Sequence, residues 1–179
     1  MDFITFLFIL AGALVIVLNI FAIIWFGGML IPIFAFGGPY VPSSDERVKR
    51  MLQIAHITPN DIVIDLGSGD GKLLVAALEA GAKRAIGYEI HPGLAKFSQT
   101  KLARKGMRDR SRVFCKSMWK ADLSDVTLVL LYQIPYAMGK LGDKLLSELP
   151  PGARVVSNAF EFPNWKPTKS EGDVHVYIK

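Results

Sequence analysis

From Phe3 to Ser44 the chain contains no Asp, Glu, Lys or Arg, and this gap constrains how it can fold more than any other feature. Within it, Ile4 to Trp25 is built of Ile, Leu, Phe, Val and Ala, with Thr5 and Asn19 as polar interruptions. A helix rises about 1.5 Å per residue, so about 20 such residues cross a hydrocarbon core of about 30 Å. A helix that is apolar all round has no face to turn to water. A cleaved signal peptide would call for a basic start and a small-residue cleavage site after a shorter run. Here the start carries Asp2, and Ala11 and Ala13 come too early. The segment therefore reads as an uncleaved transmembrane anchor.

Gly27-Gly28 and Pro32 are expected to end that helix, leaving Met29 to Phe36 as a short apolar segment at the interface or packed on the following domain. The basic cluster Arg47, Lys49 and Arg50 comes next, while Asp2 is the only charged side chain on the far side. By the positive-inside bias the rest of the chain faces the cytoplasm, from a prokaryotic plasma membrane or an organelle membrane. The expected division is residues 1–38 as anchor and juxtamembrane segment and residues 39–179 as one folded domain, since 179 residues leave no room for a second. All of the 21 Lys and Arg, and all but one of the 16 Asp and Glu, lie after Ser44, so that domain is basic. Cys115 is the sole cysteine; it allows no internal disulfide and is expected to be a buried thiol.

The domain alternates helical and extended patterns. Asp45 to Ala55 has helical spacing behind a capping Ser43 or Ser44, and Thr58-Pro59-Asn60 makes a turn. Strands are expected over 61–66, 84–89, 112–115, 126–131, 153–157 and 173–178, with helices over 72–80, 93–105 and 136–149. Such alternation argues a parallel sheet covered on both faces. With a single strand legible after Ser157, the sheet is expected to lack a strand and a helix at that edge.

The first of these strands stops at Asp65 and turns through Gly67-Ser68-Gly69-Asp70-Gly71 into a helix. Glycines let a backbone turn tightly and approach a ligand with no Cβ in the way. Lys72 stands where a dinucleotide fingerprint wants a small residue, and Asp65 and Asp70 would repel a pyrophosphate. S-adenosyl-L-methionine has no phosphate and carries cationic ammonium and sulfonium groups, so acids at the mouth of the loop suit it. Glu89 ends the next strand, 24 positions after Asp65, where a carboxylate can accept bonds from both ribose hydroxyls.

Val63 to Gly71 followed by Gly87-Tyr88-Glu89 resembles the first two motifs of class I methyltransferases. Pro39-Tyr40-Val41-Pro42-Ser43, Gly87 to Pro92, Met118 to Leu123, Gly152 to Val155 and Phe160 to Trp165 narrow the likeness. Together they resemble the membrane-anchored protein-lysine methyltransferases that act on the adenine nucleotide translocase and the ATP synthase c-subunit, with their prokaryotic relatives. The resemblance implies an α/β fold: a Rossmann-like class I methyltransferase sheet with helices on both faces, preceded by an N-terminal transmembrane helix. It further implies that Tyr40 to Ser43 lie over the methionine end of S-adenosyl-L-methionine and that Ser117 and Met118 flank its adenine. Ser117 stands where the family tends to carry Asp, and a backbone carbonyl or the hydroxyl is the expected substitute.

On the acceptor side, Tyr132-Gln133-Ile134-Pro135-Tyr136 loosely resembles the Asn/Asp-Pro-Pro-aromatic signature of amino-group methyltransferases. An acceptor lysine, ordinarily protonated below a pH of about 10.4, must be desolvated to react. Tyr132, Tyr136, Trp119 and Trp165 are candidates for an aromatic slot that does this. His91 reads as a capping residue, and no cluster has metal-ligand spacing. The basic run from Lys96 to Lys120, interrupted by Asp109 alone, suits anionic lipid headgroups; no nucleic-acid motif accompanies it. The leading expectation is a membrane-anchored protein-lysine methyltransferase with a protein substrate in or near the membrane. The alternatives are a small-molecule or lipid methyltransferase and a non-catalytic cofactor-binding membrane protein.

Overall fold

The computed structural model describes the backbone of residues 2–36 and 40–179, and the side chains of 2–25 and 40–179. The chain forms two compact units, Met1–Gly38 and Pro39–Lys179. In the first, a single helix α1 spans Phe3–Phe36. Asp2 caps it, its carboxylate accepting from the Thr5 backbone N–H at 2.7 Å. Asn19 satisfies its amide inside the helix by donating to the Val15 carbonyl at 2.8 Å. The expected break at Gly27-Gly28 and Pro32 does not occur, and the helix runs through all three. Proline removes one backbone donor, whereas leaving helix in an apolar stretch would free many peptide groups at once.

In the second unit, α2 (Asp45–Ala55) packs a buried stripe of Val48, Met51, Ile54 and Ala55, with Ser44 Oγ accepting from the Arg47 N–H at its start. The strands are β1 (Ile62–Leu66), β2 (Arg84–Glu89), β3 (Ser111–Cys115), β4 (Leu128–Leu131), β5 (Arg154–Asn158), β6 (Lys169–Glu171) and β7 (Val174–Ile178). Between them lie α3 (Lys72–Glu79), α4 (Pro92–Arg104) and α5 (Pro135–Glu148). The seven strands form one sheet in the order β3-β2-β1-β4-β5-β7-β6. β1 to β5 pair in parallel, and β7 runs antiparallel between β5 and β6. Both faces are covered. On one, Ile64, Leu66, Val129, Leu131 and Val155 pack with Met138, Leu141 and Leu145 of α5; on the other, Val63, Leu128, Leu130 and Val156 pack with α2.

Three further expectations need correction. The strand thought to be missing is present as β6, three exposed residues at the sheet edge; an edge strand needs no apolar pattern, so Lys169-Ser170-Glu171 gave no signal. The parallel sheet is mixed, because β5 reaches β7 without a crossover helix. Cys115 is exposed rather than buried, as the last residue of β3, which is itself an edge strand.

Candidate functional site

Because β1 and β2 are parallel neighbours, with Asp65 opposite Gly87 and Leu66 opposite Tyr88, their carboxyl ends open side by side. The connection after β1 is held there by the backbone, Gly67 and Ser68 both donating to the Tyr88 carbonyl at 2.9 and 3.0 Å. Gly67, Gly69 and Gly71 take φ of +108°, +50° and +77°, which residues with a Cβ rarely adopt. Each is also crowded. A Cβ on Gly67 would strike Gln133, one on Gly69 would lie 2.6 Å from the Tyr40 ring, and one on Gly71 would strike Ser98.

Glu89 staples the loop, accepting from the Gly69 N–H at 2.8 Å through Oε2 and from the His91 N–H at 2.7 Å through Oε1. It is buried, as is Asp65. Burial pushes the Asp65 carboxyl up to about 8, and the nearby Glu89 and Asp70 push it the same way. Among the described residues no cation pairs with Asp65, whereas Asp70 is paired with Lys101 at 2.8 Å. Three acids stand around one glycine loop, and Lys101 answers only one of them, so the loop holds more negative than positive charge. A cationic ligand would supply the missing positive charge.

Tyr40 and Ser43 also reach this loop. The Tyr40 ring covers Gly69, and its hydroxyl is pushed up by burial and by Asp70 and Glu89, with Lys72 opposing. Lys72 donates to the Ser43 carbonyl at 2.8 Å and pairs with Asp45, tying the start of the domain to the first turn of α3. At the other flank, Ser117 leads into a single 3-10 turn, Met118–Lys120, whose Met118 is buried in the core. His91 caps α4, its ring nitrogen accepting from the Leu94 N–H.

The four expected aromatics do not gather into one slot. Trp119 and Trp165 pack on the α5 side of the sheet, Trp165 against Phe162 and Tyr177 with centroids 5.5 and 5.2 Å apart. Tyr132 lies on the other side, under the Arg47 guanidinium of α2. Tyr136, just after Pro135 in the first turn of α5, is 64% exposed. Gln133, which sequence reasoning passed over within the Tyr132 to Tyr136 motif, is buried and donates through Nε2 to the Leu66 carbonyl at 2.5 Å. Its position two residues past a strand beside β1 was the available signal.

Strand order, the antiparallel β7 and an acid-flanked glycine loop together define the S-adenosylmethionine-dependent methyltransferases of class I. A solved RNA methyltransferase from Salinibacter ruber, in complex with S-adenosyl-L-homocysteine, superimposes with a TM-score of 0.72 at 35% identity, covering 76% of this chain and 91% of that one. The chain belongs to the family described as the ANTKMT methyltransferase domain, whose model matches residues 65–169. It is 36% identical over 135 residues to the ATP synthase c-subunit lysine N-methyltransferase of Xenopus laevis, covering 75% of this chain and 59% of that protein. A protein-lysine N-methyltransferase of Saccharolobus islandicus is 36% identical over 130 residues, covering 72% and 81%. The chain thus spans about three fifths of the Xenopus relative's length and most of the archaeal one's.

Proposed function

We propose that this chain is a membrane-anchored protein-lysine N-methyltransferase acting on a protein in or beside the membrane. One observation carries the reading: a charge-free helix and a cation-seeking methyltransferase loop stand in the same chain. The Phe3–Trp25 stretch has a mean hydropathy of 3.0 and none of it is buried, so its side chains call for lipid. Two relatives at 36% identity are lysine methyltransferases by name, which supports lysine as the acceptor. An anchor raises the local concentration of enzyme around substrates in the same membrane. The basic face adds less than the sequence suggests, because Lys101, Lys105 and Arg110 already bond Asp70, Glu79 and the Ala82 carbonyl.

When bound, S-adenosyl-L-methionine supplies an electrophilic methyl group on a sulfonium. In this reading Asp65 and Asp70 would hold its positive charge, with Asp65 losing its proton to solvent. Glu89 accepts from the ribose through lone pairs left over from its two backbone bonds. Tyr40 and Ser43 cover the methionine end, Gly67, Ser68, Gly69 and Gly71 admit the ligand to the backbone, and Ser117 and Met118 flank the adenine. Tyr132, Pro135 and Tyr136 border the acceptor. Trp165, packed among Phe162 and Tyr177, acts from behind by supporting the start of that wall.

The test is to incubate the purified protein with methyl-labelled cofactor and membranes. Label on lysine of a protein band is expected; label confined to lipid or small molecules overturns the reading. A second acceptor class, RNA, is favoured by the likeness to the Salinibacter ruber protein, which is named an RNA methyltransferase. Label removed by ribonuclease rather than protease would select it.

A further inference from the structure

Away from the cofactor loop, a groove of about 330 Å³ lies between α2 and α3, a volume within the range of about 300 to 1,000 Å³ typical of small-ligand sites. Val48 and Leu52 of α2 face Val75 and Ala76 of α3 across its apolar part, and Lys49, Lys72 and Lys101 stand around it with Asp45 and Glu79. A second cavity, between α5 and Phe162, measures about 10 Å³ and has room for one water at most.

Once ion pairs are set aside, the charge around the groove has one sign. Among the described residues the acids of this face are all taken: Asp45 by Lys72 at 2.9 Å, Glu46 by Arg50 at 3.0 Å, Asp70 by Lys101 at 2.8 Å and Glu79 by Lys105 at 2.7 Å. Lys49 and Arg104 are exposed and pair with no acid among the described residues. Phe97, Lys101 and Arg104 follow one another at i, i+4 and i+7, so they share one stripe of α4, and Lys101 brings that stripe to the rim of the groove. Phe97 on the stripe is 57% exposed. An apolar groove bordered by an uncovered aromatic ring and by unmatched cations is complementary to an amphiphile with a negative head.

We infer that the groove between α2 and α3, with the Phe97 stripe of α4, is a binding site for anionic phospholipid. An acyl segment lies along Val48, Leu52, Val75 and Ala76, Phe97 enters the interface, and Lys49 and Arg104 supply the positive charge that the headgroups meet. The inference rests on the membrane reading and deepens it, giving the folded domain a lipid contact of its own besides the anchor. The same chain carries the Phe3–Trp25 stretch, whose side chains call for lipid, and this favours a bilayer phospholipid as the occupant. A nucleic acid would meet the cations but gain nothing from the apolar groove.

Photo-crosslinking in nanodiscs tests this without knowledge of the methyl acceptor. The full-length chain is reconstituted with a trace of phosphatidylglycerol carrying a diazirine on its acyl chain, or with the matching phosphatidylcholine, and adducts are mapped by mass spectrometry. Phosphatidylglycerol is expected to label α2, α3 and the Phe97 segment at least about fivefold more than phosphatidylcholine does, since each cation near an anionic surface favours binding by about that factor. Lys49→Gln with Arg104→Gln should remove most of this difference while leaving adducts in α1 and the affinity for S-adenosyl-L-homocysteine within about twofold. Adducts confined to α1 overturn the inference, as does equal labelling of the wild type by the two lipids, a comparison that needs no variant. Groove adducts that are present with one chain per nanodisc and vanish with two give the groove to a second copy and also overturn it. Groove adducts without adducts in α1 uphold the lipid site and sink the anchor instead. The lysine reading is decided separately, by where the methyl label goes.

Discussion

A buried carboxylate stands near each end of strand β1, Asp61 just before it and Asp65 within it, and the two have opposite surroundings. At the amino end, burial pushes the Asp61 carboxyl up, but bonds from Arg154, Thr127 and Thr58 outweigh it and hold the group below its ordinary range. Thr58 gives both its N–H and its hydroxyl to one oxygen, at 2.7 and 3.0 Å; Thr127 and Arg154 take the other. At the carboxyl end, Asp65 has neighbours of like charge and is pushed up to about 8. The same residue type, a few positions apart in the chain, is satisfied before the strand and frustrated near its end. The satisfied end ties α2, β1, β4 and β5 together; the frustrated end is where the loop, Glu89 and Tyr40 converge. Strain of this kind, tolerated by a stable scaffold, marks the working side of the sheet.

The contrast can be broken at either end. Gly69→Val is expected to have the largest effect, with no measurable binding of S-adenosyl-L-homocysteine, because φ is +50° and the Tyr40 ring lies 2.6 Å from the new Cβ; normal binding would refute the loop as the site. Asp61→Ala should cost about 3 to 5 kcal/mol of stability by leaving the Arg154 charge unpaired, a fall of roughly 10 °C in melting temperature. Below the melting range it should leave cofactor affinity within about twofold, and a large change in affinity would erase the division between the ends. Glu89→Ala should weaken cofactor binding by roughly 1 to 3 kcal/mol through lost charge-assisted bonds; unchanged affinity in calorimetric titration would remove Glu89 from the site.

The smallest effect is a pH dependence. Asp65 is protonated in the empty fold up to about 8, but ionises near its ordinary value when unfolded. Between those values the unfolded chain binds fewer protons than the fold, so the stability of the empty protein falls as pH rises and levels off above about 8. A cationic ligand favours the ionised form, so affinity should rise between pH 6 and 8 by at most about tenfold per unit, with release of a proton. Asp65→Asn should flatten that dependence and stabilise the empty protein at pH 8. A slope that survives in Asp65→Asn assigns the proton to another group.

Much of this was legible in the sequence. The apolar leader, the order of helices and of the interior strands, and the Asp65, Gly67, Gly69, Gly71 and Glu89 set follow from patterns that buried strands and tight turns impose locally. What escaped depends on surroundings. Strand β6 pairs only at an edge, so its polarity carries no mark; the exposure of Cys115 depends on β3 being the opposite edge of the sheet; and the continuity of α1 through Pro32 reflects what a whole helix tolerates rather than what one residue prefers. The aromatics were named by type, yet Tyr132 and Trp119 lie on opposite faces of the sheet, a matter of parity past the end of β4 that composition does not encode. Gln133 matters through a contact across the sheet, its Nε2 donating to the Leu66 carbonyl, which the order of residues does not show.

The charge imbalance at Asp65 has a consequence for the life of the molecule as well as for its chemistry. A ligand that binds only the folded state adds to its stability in proportion to the logarithm of its concentration, and here that gain adds to relief of a repulsion that burdens only the empty fold. Degradation that samples transiently opened molecules follows the population of the open state. The abundance of this enzyme would therefore track the supply of its methyl donor, with molecules that stand idle removed first.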